Sequence, residues 1–259
     1  MCIVLITPTG ARRNQFNLCR RWMLNQTYSG EVLWIIVDDG MPQTTESVNA
    51  DFRKDWFVAK IYPKPQWMPG QNTQGRNMLA GINYVRNNYS KDQIEAIFII
   101  EDDDYYKPIY LAEMVKRMGN YNAIGETRTI YYNVVWRRFI TNANTMHSSL
   151  FQTAFSYDAI IDMVASLKDK FIDAKFWKLV RNKYLFSAGN LSIGIKGLPG
   201  RAGIGAGHQK NYGMLPDNNL IHLSNLIGKE DAKIYGEYNR NRDGNNGQLR
   251  RPLFVKKHL

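Results

Sequence analysis

Five apolar residues, Ala96-Ile97-Phe98-Ile99-Ile100, run directly into four acids, Glu101-Asp102-Asp103-Asp104. An unbroken apolar run of this length between polar flanks reads as a strand buried on both faces. Four adjacent carboxylates at its end repel one another and are costly to desolvate unless a cation neutralises them. Hard divalent ions such as Mg2+ or Mn2+ take carboxylate oxygens and keep coordination positions open for substrate phosphates. In open α/β sheets, ligands bind outside the carboxyl ends of the strands, where these acids stand. The plain alternative is a solvated acidic turn leading into a helix near Pro108.

The surrounding pattern supports such a sheet. Cys2–Ile6, Val32–Val37 and Trp56–Tyr62 read as further strands. Between them, Phe16, Cys19, Trp22 and Met23, then Met78, Leu79, Ile82 and Val85, recur at helical spacing. Leu111, Met114, Val115 and Met118 mark a helix after Pro108. Such alternation predicts an α/β fold, a mostly parallel sheet flanked by helices. The second half is less regular. Thr129–Phe139 is β-rich, Tyr157–Leu167 and Phe171–Tyr184 read as helices, and a glycine-dense loop is expected from Gly189 to Gly213. The tail from Lys229 is polar and expected to pack poorly. With no repeat and no linker, the chain is expected to form a single domain.

The 259 residues, 44% hydrophobic, suffice for one sizeable core. No apolar run approaches the roughly 20 residues that span a bilayer, and Met1–Ile6 is too short for a signal peptide. A cytoplasmic protein is expected, with Cys2 and Cys19 filling core space rather than forming a disulfide. A formal charge of +11 favours polyanionic partners without naming one.

Four motifs in order carry a family resemblance. Ile3–Thr9 with Arg12 and Arg13, Val37-Asp38-Asp39-Gly40, Gly75-Arg76-Asn77, and Glu101-Asp102-Asp103 with Pro108 together resemble the GT-A glycosyltransferases of the family 2 type. The resemblance covers residues 1–118 and fades after about residue 150. It implies a GT-A fold and a nucleotide-sugar donor, most simply uridine-linked. Residues 1–118 would be the nucleotide-sugar-binding half, 119–228 the acceptor and catalytic half, and 229–259 a basic polar tail. It further implies that Asp39 accepts from a uracil N–H with Thr7, Pro8 and Thr9 nearby, that Asp102 lies toward the ribose, and that Asp103 is the ligand of Mn2+ or Mg2+. Arg76 at a helix start would reach the diphosphate, or pair with a neighbouring acid. Asp38 equally suits a turn cap, and Asp104 either supports the metal ligands or is solvated.

Gly200–His208 lacks the spacing of a dinucleotide fingerprint. It suits a lid whose Arg201, His208 and Lys210 close over a pyrophosphate. His208 is the candidate second metal ligand, or an ordinary loop histidine. His222 reads as a packed histidine, and His147 ranks third as a ligand. For the general base that inverting enzymes of this kind use, Asp173 in Phe171–Trp177 is the candidate. Its alternative is a first-turn acid favoured by the helix dipole. Asp158 and Asp162 are weaker choices.

Lys175, Lys178 and Arg181, with Trp136-Arg137-Arg138 and the tail residues Arg250, Arg251, Lys256 and Lys257, could track a phosphate backbone. DNA carrying a hydroxymethylated pyrimidine is therefore the favoured acceptor, with a base flipped out for reaction. A cell-surface polysaccharide or glycolipid is the alternative. A nucleotidyltransferase and a non-catalytic nucleic-acid-binding protein stay open as other classes.

Overall fold

The computed structural model describes residues 1–41, 43, 53, 55–198, 207–208 and 213–240. Its strands are β1 Cys2–Thr9, β2 Val32–Asp38, β3 Trp56–Ile61, β4 Ile94–Ile99, β5 Tyr105–Tyr106, β6 Ala123–Glu126, β7 Arg128–Asn133, β8 Arg138–Ala143, β9 Thr153–Phe155, β10 Lys183–Phe186, β11 Ser192–Lys196 and β12 Leu215–Pro216. The helices are α1 Arg13–Leu24, α2 Gln74–Asn88, α3 Tyr110–Met118, α4 Ile160–Ser166, α5 Ile172–Leu179, α6 Ile221–Ile227 and α7 Lys229–Arg240.

Among the described residues, seven strands form one sheet in the order β10-β6-β9-β4-β1-β2-β3. Strands β1 to β4 pair in parallel, while β9 runs antiparallel between β4 and β6. Because side chains alternate between two covered faces, the central strands β1, β2 and β4 are apolar at most positions. Ile3, Leu5, Trp34, Ile36, Phe98 and Ile100 pack on one face with α1 and α3. Val4, Ile6, Ile35, Val37, Ile97 and Ile99 pack on the other with α2, α4 and α5. The parallel strands bring their carboxyl ends to one edge, and the acids of residues 101–104 begin there, just after β4.

A second, five-stranded sheet, β12-β8-β7-β11-β5, lies on the face carrying α1 and α3. One sequence expectation, the β-rich Thr129–Phe139, holds here, and two give way. Thr129–Phe139 is part of a hairpin, β7 and β8, whose turn is held by Asn133 Oδ1 accepting from the amides of Val135 and Trp136. The helix expected over Phe171–Tyr184 stops at Leu179. Asn182 takes a positive φ of 49°, and the chain then enters β10, paired with β6. Within the expected loop Gly189–Gly213, residues 192–196 form β11. Leu191, Ile193 and Ile195 alternate into the core, and parallel pairing with β7 satisfies the backbone.

The tail also differs from expectation as far as Arg240. Trp22 Nε1 donates to Tyr235 Oη at 3.2 Å and Arg21 pairs with Asp231 at 3.0 Å, so α7 docks on α1. Residues 241–259, and with them Arg250, Arg251, Lys256 and Lys257, lie outside the described residues. Both cysteines are free thiols, with Cys19 buried in the core. No described helix is long and apolar enough to cross a membrane.

Helix α2 sits unusually close to the sheet. A Cβ at Gly81 would come within 2.6 Å of Ile6 Cγ2. Gly81→Val should therefore lower stability by about 1–3 kcal/mol through overpacking, which outweighs the few tenths gained in helix propensity. A urea midpoint equal to the parent's would show that α2 can move away freely.

Candidate functional site

A cavity of about 630 Å3 opens at the carboxyl edge of the large sheet. Pro8, Thr9 and Arg12 line one side, Glu101, Asp102 and Asp103 the floor, and Tyr131, Ser149 and Lys196 the side toward the second sheet. Trp67, Pro69–Asn72, Phe171, Asp173 and His208 complete the rim.

The acids are organised by two buried cations. Arg12, in the turn between β1 and α1, reaches Asp102 at 3.0 Å and Asp103 at 2.7 Å. Thr9 Oγ1 donates to the other oxygen of Asp102 at 2.7 Å. On the far side Lys196, at the end of β11, pairs with Asp104 at 3.0 Å, and the amide of Ile195 donates to the same oxygen. Asp104 is thus buried structure, neither solvated nor free. Gln74 Nε2 donates to Glu101 at 2.5 Å.

Burial pushes the Asp103 carboxyl up, but Arg12 and Lys196 outweigh it and hold the group at about 2. Burial keeps Glu101 and Asp104 above the ordinary carboxylate range. Burial disfavours the charge on Lys196, yet the attraction of Asp104, Asp103 and Glu101 wins and holds the ammonium protonated. The same contest keeps Arg12 charged against Asp102 and Asp103.

These residues fit a divalent cation. Ligand oxygens of Glu101, Asp103 and Asp104 lie within 4.8 Å of one another. Asp104 Oδ2 is buried and has no hydrogen-bond partner among the described residues. Four carboxyl groups face only the two cations Arg12 and Lys196, an excess of acid that a divalent ion would offset. His208 lines the same cavity without joining that cluster of ligand atoms among the described residues. Its imidazole is held down to about 4, by burial first and by Lys196 second, which leaves a neutral ring with a free lone pair.

The other residues singled out by sequence divide into three groups. Pro8, Thr9, Asp102, Asp103, Asp173 and His208 meet at the cavity. Thr7, Asp39 and Arg76 do not line it. Thr7 Oγ1 accepts from Trp34 Nε1 within the core at 2.9 Å. The Asp39 carboxylate is buried and accepts from Thr73 Oγ1 at 2.5 Å and Arg76 at 2.7 Å, tying β2 to the first turn of α2. Arg76 therefore pairs with a neighbouring acid, and it also donates to the Pro65 carbonyl. Asp38 accepts from the Gly40 amide, a turn cap. Arg201 and Lys210 lie outside the described residues. His222 stacks on Phe139 with centroids 3.5 Å apart, and His147 is not in the cavity lining.

Asp173 stands in the first turn of α5, where Oδ1 accepts from the Ala174 amide. Of the weaker choices, Asp158 forms an exposed ion pair with Lys91, and neither it nor Asp162 lines the cavity. Among the basic residues, Arg137 donates to the carbonyls of Asn218 and Gly236, and Arg138 to that of Met214. These two arginines clamp the C-terminal segment instead of extending a phosphate track. Lys178 and Arg181 are exposed and Lys175 half-buried. Sequence reading missed Lys196, Gln74, Tyr131 and Ser149. The one signal was a lysine closing the apolar alternation Leu191-Ser192-Ile193-Gly194-Ile195.

Comparison with known proteins places this geometry. The sequence profile of glycosyl transferase family 2 matches residues 18–184, well over half of the chain. The chain belongs to glycosyl transferase family 2. Among solved structures, S. aureus TarS 1–349 in complex with UDP superposes with a TM-score of 0.53 at 12% identity. That match covers 75% of this chain and 60% of TarS 1–349. The TarS 1–349 complex with UDP-GlcNAc gives 0.53 at 13% identity, over 75% and 58%. At such identity the likeness is one of fold, and this family 2 chain spans about 60% of the TarS fragment. No curated protein matches the sequence.

The state of His208 has a testable consequence in the metal-free protein. Its folded value lies below the ordinary 6.5, so the unfolded chain takes up the proton first. The His208 contribution should thus reduce stability as pH falls from about 6.5 toward 4, and be absent above that window. Ring nuclei of His208 followed by NMR should stay in the neutral form at pH 5.5. A midpoint near 6.5 would mean that the imidazole is solvated.

Proposed function

We propose that this family 2 chain is a glycosyltransferase that moves a sugar from a nucleoside diphosphate donor, uridine-linked, to a hydroxyl acceptor. The observation that carries the reading is the acid floor held between Arg12 and Lys196 beneath a cavity large enough for a nucleotide sugar. The TarS complexes with UDP and UDP-GlcNAc support a uridine-linked donor.

In this reading the donor lies along the carboxyl edge, its nucleoside toward Pro8, Thr9 and Asn77 and its diphosphate over Glu101–Asp103. Asp103 and Glu101, with Asp104 behind them, would hold Mn2+ or Mg2+. His208 would approach as a neutral ligand from the rim. When bound, such an ion supplies charge stabilisation for the departing diphosphate. Asp102, held by Thr9 and Arg12, would accept from a ribose hydroxyl. Asp39 would act on the base from behind the Trp67–Asn72 loop, sharing its carboxylate with Thr73 and Arg76. Asp173 removes the proton of the acceptor hydroxyl as that oxygen bonds to the anomeric carbon and the bond from that carbon to the phosphate oxygen breaks.

DNA with a hydroxymethylated pyrimidine as acceptor rests on the net charge and on Lys175, Lys178 and Arg181, since Arg137 and Arg138 are engaged with backbone carbonyls. A saccharide or glycolipid acceptor is the second reading. It is favoured by Phe171, half exposed at the rim beside Asp173, as a face on which a sugar ring can stack.

Donor hydrolysis should respond to Mn2+, and Asp103→Ala should abolish that response. Asp173→Asn should lower transfer by roughly 10²–10⁴-fold while UDP binding by calorimetry stays intact. An Asn variant with the parent's transfer rate would remove Asp173 from the chemistry.

If DNA is the acceptor, its affinity should fall steeply with salt. Changing Lys175 and Lys178 to Glu should weaken it for all sequences alike without altering donor hydrolysis. Mass spectrometry of digested DNA should then show an added sugar only on hydroxymethylated bases. Sugar appearing on an oligosaccharide or lipid-linked acceptor and on no nucleoside would decide for the second reading.

A further inference from the structure

Lys196 is the buried cation that the family resemblance does not account for. Its side chain is 7% exposed and pairs with an Asp104 side chain at 0%. A buried pair of this kind is a poor source of stability, because desolvating both ions offsets most of their attraction. Its place needs another reason.

Three observations supply one. Lys196 lines the donor cavity, at the junction of the acid floor and the second sheet. Its Nζ lies 5.6 Å from the Tyr131 ring centroid and 5.7 Å from that of Phe151, so two aromatic faces hold the ammonium at the cavity wall. Asp104 is its one hydrogen-bonding partner among the described residues, at 3.0 Å, while an ammonium carries three N–H donors. A cation with donors to spare, walled by aromatics and open to a cavity, suits an anionic oxygen acceptor.

We propose that Lys196 is a diphosphate-binding residue of this enzyme. It donates to a β-phosphate oxygen of the nucleoside diphosphate, on the side of the acids opposite Arg12. The inference rests on the donor reading above and adds a residue to it. The distal phosphate gains negative charge as its bond to the sugar breaks. A fixed ammonium already oriented by Asp104, Tyr131 and Phe151 meets that charge without reorganising. The nucleoside and the proximal phosphate lie toward Thr9 and Asn77, so Lys196 should distinguish UDP from UMP.

Removing Lys196 alone would leave Asp104 buried and uncompensated, which penalises folding as well as binding. The informative pair is Asp104→Asn, which keeps the ammonium, and Asp104→Asn with Lys196→Met, which removes it beside a neutral partner. Calorimetric titration of both with UDP and UMP, with and without Mn2+, isolates the lysine. The double variant should bind UDP roughly 10–100-fold more weakly than Asp104→Asn, the effect of one charge-assisted hydrogen bond. UMP affinity should change less than threefold. Asp104→Asn with Lys196→Arg should keep UDP affinity within a few-fold. Equal UDP affinity with and without the ammonium would overturn the role of Lys196 and leave the donor reading standing. If the parent chain binds neither UDP nor UMP, the donor reading itself fails, and this inference with it.

Discussion

The site depends on one electrostatic constraint, four carboxylates desolvated at the end of a buried strand. Left to themselves they would repel or take up protons. Arg12 answers Asp102 and Asp103 from the first sheet, and Lys196 answers Asp104 from the second. The two cations come from opposite ends of the chain's order, so the acid floor also fastens the second sheet to the first. The acids still outnumber the cations that answer them.

That constraint explains the division of labour between the sheets. The parallel strands β1 to β4 line up their carboxyl ends, because parallel pairing brings them to one edge. The second sheet contributes the opposite wall. Tyr131 on β7 donates to or accepts from Ser149 at 2.7 Å, and Lys196 stands at the end of β11. The Gln152 side chain, which accepts from Thr129 and donates to Glu126, links β7 to the strand order of the large sheet through buried polar contacts. Glu126 in turn accepts from the amides of Asn190 and Leu191, which sets the entry to β11. The position of Lys196 is therefore fixed by a hydrogen-bonded path running back to β6.

Much of the first half was legible because its signals are local. A strand buried on both faces is apolar at every position, and an amphipathic helix repeats every three to four residues, so β1, β2, β4 and α1 to α3 could be read directly. The acid run announced itself by abruptness. The second half resisted because its strands are short and half-polar. The helical pattern read over Phe171–Tyr184 runs past Leu179, where the chain turns at Asn182 into β10, and Ser192–Lys196 hid between glycines. Roles failed where a side chain had a partner far along the chain. Arg137 and Arg138 looked like a basic surface, yet carbonyls of residues 214, 218 and 236 hold them.

By itself the sequence determined the parallel sheet, the acid cluster at its edge and the order of motifs, since each depends on neighbours within a few residues. Only the tertiary structure decided which acids line the cavity and which stand behind it. Asp39 and Asp104 carry the same carboxylate as Asp103, but Arg76 and Lys196 meet them inside the protein, whereas Asp103 remains at the cavity floor. Charge in a low-dielectric interior is governed by whatever lies within a few ångströms. That distance is set by folding, and the linear order of residues does not contain it.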